Sequence, residues 1–115
     1  MPLLLAMQSG PSERRVMRHH DNGKEHVVLF LNKVTGELQK EEVFYPNGKM
    51  QWSGNYSNGI ENGAWQFYWE IGRIKTVENY VNGKEHGVTT HYDEQGKKTK
   101  EEFWKHGKLI KEMPF

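Results

Sequence analysis

The chain has 115 residues, a mean hydropathy of −0.91 and a net charge of +1, from 16 basic and 15 acidic side chains. That length suggests one domain with a modest core, and the even charge balance lacks the basic excess that a nucleic-acid binder needs for phosphate contacts. The chain has no cysteine, which excludes disulfide scaffolds, thiolate nucleophiles, thiolate zinc sites and lipid attachment through sulfur.

The start, Met1 to Met7, is apolar but short, and Gln8 to Arg15 is polar and broken by Gly10 and Pro11. It has neither the basic region nor the apolar length of an export signal, and falls short of the about 20 apolar residues that span a bilayer. Residues 1–15 are therefore expected to form a flexible arm and 16–112 the folded domain. Along that domain, strands are predicted at 14–20, 26–32, 37–45, 49–56, 64–70, 73–80, 88–93, 97–104 and 108–112. Val, Thr, Tyr, Phe and Trp dominate these stretches. Asn22-Gly23, Asn47-Gly48, Asn58-Gly59 and Asn82-Gly83 bound several of them, and Asn-Gly is a hairpin signal because primed turns need positive φ at both central residues. Pro46 should end its strand. No stretch between glycines is long enough for an ordinary helix.

The glycines keep time. Gly59, Gly83 and Gly107 fall 24 residues apart, as do Gly48, Gly72 and Gly96. Segments of 13 residues between glycines alternate with segments of 11 or 12, and the alternation slips once, around Gly48. Asn22-Gly23-Lys24-Glu25-His26 recurs letter for letter at Asn82-Gly83-Lys84-Glu85-His86, and Lys40-Glu41-Glu42 recurs at Lys100-Glu101-Glu102. A repeat of this length is one supersecondary unit that stacks on copies of itself. The expected fold is all-β: an antiparallel meander of tandem β-hairpins forming one elongated sheet, with repeats near 14–36, 37–59, 60–83 and 84–107. Tyr56, Tyr80 and Trp104 share one repeated position, and Tyr68 and Tyr92 another. Strict alternation does not put all the rings on one face, so either bulges shift the parity or both faces carry aromatics. Gly54, Gly63 and Gly87 are places where a ring could lie flat on backbone.

The run Gly54-Asn55-Tyr56-Ser57-Asn58-Gly59-Ile60-Glu61-Asn62-Gly63-Ala64-Trp65, echoed from Glu78 to Gly87, resembles the tyrosine- and glycine-rich unit of the MORN repeat. It is more similar to the bacterial MORN-variant group that includes YwqK-type antitoxin-like proteins. The resemblance covers about residues 16–112; it departs at His26-Val27, where Gly is expected after the His, and at the slip near Gly48. It implies β-hairpin modules used for protein contact, assembly or membrane-proximal scaffolding, with no catalytic residues to carry over. The antitoxin label implies neutralising a partner protein.

The chemistry points the same way. The six histidines follow no metal-ligand spacing, and the Glu41-Glu42 and Glu101-Glu102 doublets point to opposite faces, so neither is a catalytic dyad. An enzyme, a cofactor, a metal and a nucleic-acid partner are not expected; an enzyme with a shallow site between repeats is the most distant alternative, behind a purely structural repeat protein. The favoured reading is a non-enzymatic protein-binding or scaffolding module in the cytoplasm, with an exported form as the alternative, since absence of cysteine suits cytoplasm and periplasm alike. Its surface would be an aromatic strip of Trp52, Trp65, Trp69 and Trp104 supported by Tyr56, Tyr80 and Tyr92, because aromatics bury much area with few rotors. The short, charged end strands suit a monomer; a homodimer through that strip is the alternative. The alternative partner is anionic lipid, met weakly by a basic row of turn residues: Lys24, Lys49, Arg73, Lys84, Lys97 and Lys108. Glu25, Glu61 and Glu85 would dilute its field.

Overall fold

The computed structural model describes residues 11–115. They form ten strands: β1 (Ser12–His19), β2 (Glu25–Asn32), β3 (Leu38–Phe44), β4 (Met50–Ser57), β5 (Ile60–Tyr68), β6 (Ile74–Val81), β7 (Lys84–Glu85), β8 (Gly87–Tyr92), β9 (Lys98–Lys105) and β10 (Lys108–Pro114). All pair antiparallel in one open sheet, in sequence order, with β7 and β8 both pairing β6. The all-β meander expected from the repeat is what the chain forms. Among the described residues there is no helix, hence none long and apolar enough to cross a membrane. β1 begins at Ser12, two residues before the strand predicted at 14–20 and inside the span expected as the arm; residues 1–10 of that arm lie outside the described residues. The predicted strand at 88–93 is preceded by the short β7, split off at His86.

The two ends of the sheet use different turns. At one end four loops, His20 to Lys24, Tyr45 to Lys49, Trp69 to Arg73 and Asp93 to Lys97, share one pattern. The first residue's N–H donates to the fifth residue's carbonyl at 2.8 Å, and its own carbonyl accepts from the glycine N–H at 2.9–3.0 Å. Only the glycine has positive φ there; at Asn22 and Asn47 the side-chain Oδ1 instead accepts the N–H two residues on. At the other end Asn58-Gly59, Asn82-Gly83 and His106-Gly107 form two-residue loops with positive φ at both positions, the primed turn expected of Asn-Gly. The pentapeptide shared by Asn22–His26 and Asn82–His86 thus makes two different turns at opposite ends of the sheet. Identical letters there do not mark equivalent positions; the 24-residue step does.

Bulges also recur. His26, Gln51, Lys75 and Thr99 are each skipped in the register of the strand that follows a three-residue loop. Tyr68 therefore faces Ile74, with Lys75 as the extra residue, and Trp69 is freed into the turn. Asn62-Gly63 and His86-Gly87 interrupt the pairing at the other end, with φ of 94° and 98° at the glycines. The slip near Gly48 removes no strand: β3 lacks the two-residue interruption, and a wider loop over 33–36 precedes it.

Neighbouring hairpins are laced across their turns. Asn22 Nδ2 donates to the Pro46 carbonyl at 2.8 Å, and Lys24 Nζ to that of Asn47 at 3.3 Å. Asn47 and Lys49 repeat this toward Glu70 and Ile71, both at 3.0 Å, and Arg73 reaches the Glu94 carbonyl at 3.1 Å. At the opposite end the Gly83 and Gly107 N–H groups donate to the Glu61 and Glu85 carbonyls at 2.8 Å.

The core is thin. Among the described residues Val28 and Val43 are the buried apolar side chains, and Asn32, Gly54, Thr76 and Thr89 are buried at scattered points along the sheet. Gly83 joins two demands: its φ is 83°, and a Cβ there would lie 3.1 Å from Ile60 Cγ2. Gly83→Val should destabilise the fold by about 2–3 kcal/mol, from left-handed strain plus the contact. Urea unfolding checks this; an unchanged midpoint would contradict the turn assignment.

Candidate functional site: an aromatic and acidic sheet face

Directly opposed residues of an antiparallel pair share a face, and successive residues alternate. Starting from the pair Gly54 and Trp65, the register places Val43, Trp52, Phe67, Thr76, Thr89, His91 and Trp104 on one face, here the front. Lys40, Glu42, Gln66, Val77 and Phe103 lie on the back.

Trp65 is the hub of the front face. Its ring lies on the Gly54 backbone so closely that a Cβ at Gly54 would be 2.5 Å from it. It stacks on Trp52 at 5.4 Å and 11°, meets the Tyr56 edge at 5.3 Å and tilts against Tyr80 at 5.6 Å. Phe67 extends the group beyond Trp52 at 6.3 Å, and Trp65 Nε1 donates to the Asn55 carbonyl at 3.1 Å. The rings are half-buried, and no layer covers them among the described residues. The flat ring foreseen over glycine occurs at Gly54 alone. Gly63 and Gly87 have no ring within 4 Å of a would-be Cβ, because they serve the bulges.

The expected aromatic strip is thus divided. Trp52, Trp65, Tyr56 and Tyr80 form one contiguous group. Trp104 shares their face but makes no ring contact with them. Trp69 sits in a turn with Lys75 Nζ at 4.7 Å over its ring. Tyr92 follows front-facing His91 in β8, so alternation turns it to the back. All four tryptophans are half-buried, and the Nε1 groups of Trp69 and Trp104 are buried without a hydrogen-bond partner.

The basic row is divided too. Lys24, Lys49, Arg73 and Lys97 lie at the end with the longer loops, Lys84 and Lys108 at the opposite end. Lys24, Lys49 and Arg73 already donate to backbone carbonyls of the next turn. The single row expected from the spacing does not exist.

Carboxylates take its place on the front face, where sequence reasoning had not put them. Glu61 and Glu85 stand opposite Tyr56 and Tyr80. Glu41 accepts the Tyr56 hydroxyl at 3.2 Å, and Glu78 that of Tyr80 at 3.0 Å. Burial pushes the Glu78 carboxyl upward, against the Tyr80 hydrogen bond and with help from Glu85. Burial and the neighbouring carboxylates push the Tyr56 phenol up to about 12 and raise Tyr80 as well. The recurrence of Glu61 as Glu85, and of Glu78 as Glu102, was the available signal. Beyond them His91 pairs with Glu102 at 2.8 Å, with the Thr76 hydroxyl 3.5 Å from the other ring nitrogen. His91 and Lys100 hold the Glu102 carboxyl below its usual range.

Two outcomes test this geometry. Gly54→Ala should cost about 1–3 kcal/mol, because Trp65 must lift from the backbone, read as a lower urea midpoint with altered near-ultraviolet dichroism. The tyrosines give a pH test. Their folded pKa values lie above the unfolded value of about 10. Their contribution is thus complete below pH about 10 and is lost as pH rises toward about 12. Stability should fall across that window, and absorbance at alkaline pH should show phenols that titrate late. A single transition near the free value would contradict the buried, acidic surroundings of Tyr56.

No protein-family model matches the chain, and no curated protein matches it. Among solved structures it is similar to the Glycosylation Associate Protein (Gap123) complex from Streptococcus agalactiae, with a TM-score of 0.53 and 15 % identity over 87 % of this chain. The chain spans 18 % of the length of that protein chain, and at this identity the likeness is one of fold.

Proposed function

We propose that this chain is a MORN-type repeat module that binds a partner protein through its front face, without catalysis. The observation that carries this reading is the ring group of Trp52, Trp65, Tyr56 and Tyr80, which no second layer covers among the described residues, with Trp104 standing apart on the same face. Large rings held in fixed positions at low entropic cost suit an interface core. The MORN resemblance adds a bacterial setting and an antitoxin-like role, in which the partner is a protein that harms the cell unless bound.

The test is an affinity pull-down with the intact chain, Trp52→Ala and Trp104→Ala, each variant checked for wild-type melting. A partner lost in a variant that still melts like wild type supports the reading. Undiminished capture by both variants removes the front face from the role. Expressing the captured protein alone, then together with this chain, tests the antitoxin part: growth arrest relieved by co-expression is expected, and absence of arrest overturns it.

A further inference from the structure

The front face carries an unbalanced charge. Among the described residues Glu41, Glu61, Glu78 and Glu85 belong to no ion pair, whereas Glu102 and Glu112 at the far side of the same face are paired with His91 and Lys100, and Glu42 and Glu101 on the back with Lys40 and Lys98. The back face also supplies cations to its own rings: Lys40 sits 5.5 Å over Phe30 and Lys111 5.8 Å over Phe103. Among the described residues no such cation covers the Trp52–Trp65 group. Rings without a cation beside carboxylates without a counter-ion are complementary to Arg and Lys.

The spacing adds a second constraint. Glu61 and Glu85 are one repeat apart and lie on strands separated by β6. Two strand steps come to about 9.6 Å. A polyproline II segment advances about 9.3 Å in three residues and returns to the same side. A basic residue at every third position would meet one carboxylate per repeat.

Resting on the protein-binding reading above, we propose that the front face docks an extended basic segment of the partner, its cationic side chains seated against the Trp52–Trp65 stack and paired with Glu61 and Glu85. The segment crosses the strands rather than adding to the sheet edge. Salt should weaken it, since the carboxylates are only partly buried.

The probes are synthetic peptides: one with Arg at every third residue in a Pro- and Ser-rich frame, one with the same composition but clustered Arg, and one with Glu replacing Arg. Tryptophan fluorescence of the full chain reads binding. The spaced Arg peptide should bind, weaken as salt is raised, and bind about tenfold more tightly than the Glu peptide. Glu61→Gln with Glu85→Gln should weaken it about tenfold without changing the melting curve. Equal binding of the Arg and Glu peptides, or full affinity in the charge variant, would overturn the basic segment. Equal binding of spaced and clustered Arg would overturn the polyproline register. If the captured partner is lost in Trp52→Ala yet indifferent to the double charge variant, this inference fails while the protein-binding reading stands. The peptides probe the wild-type chain directly, so a poorly folding variant leaves the test intact.

Discussion

A lone sheet has no second layer to bury its side chains, so each ring must find its contacts sideways, along the surface it grows from. Trp65 shows how this is done. It lies down on Gly54 rather than standing off the strand, and in that posture reaches Trp52, Tyr56 and Tyr80 at once. Each such aromatic pair is worth about 0.5–1.5 kcal/mol beyond area burial. The posture needs an absent side chain at Gly54 and a register that keeps Tyr56 and Tyr80 on the same face. That register comes from the pairs Gly54–Trp65 and Trp65–Glu78, since Tyr56 and Tyr80 each follow two residues on. The bare glycine and the ring packing are therefore one constraint.

The meander was legible because short strands joined by short turns have few other ways to pair. The 24-residue step also located equivalent positions: Tyr56 and Tyr80 do share a face and a neighbour in Trp65. What the letters could not carry was the number of residues in each loop. Asn-Gly serves a two-residue turn at Asn82-Gly83 and the last part of a longer loop at Asn22-Gly23. One residue more or less reverses every later side chain. The repeat aligns Tyr92 with Tyr68, and both turn to the back, away from the strip of Tyr56 and Tyr80; Glu41 and Glu101, which look alike in sequence, emerge on opposite faces.

Charges were harder to place than rings for the same reason. A lysine after a turn glycine looks like a free surface cation, yet Lys24 and Lys49 are long enough to reach the next turn and satisfy its carbonyls. Their ammonium groups tie the sheet together instead of facing outward as a row. The glutamates near the other turns were read as their diluting neighbours. Folding separates the two sets: basic side chains mostly along one rim, acidic ones among the phenols on the front. The raised phenols of Tyr56 and Tyr80 register that separation, because low exposure and nearby negative charge both hold the proton on oxygen.

Among the described residues the lacing between turns runs between neighbouring hairpins, and no strand pairs with a distant part of the sequence. Cohesion in such an array is a chain of nearest-neighbour couplings, so no single residue secures the whole, and the loss of one coupling need not propagate. Opening should begin at β1 and β10, each held from one side, and become rarer toward β5 and β6, giving a graded rather than all-or-none protection of amides against exchange. A ligand lying across several strands would act on that gradient as a splint. It would stiffen the middle of the ribbon directly and the rims only through the hairpins between, so the length of the array sets how far binding is felt.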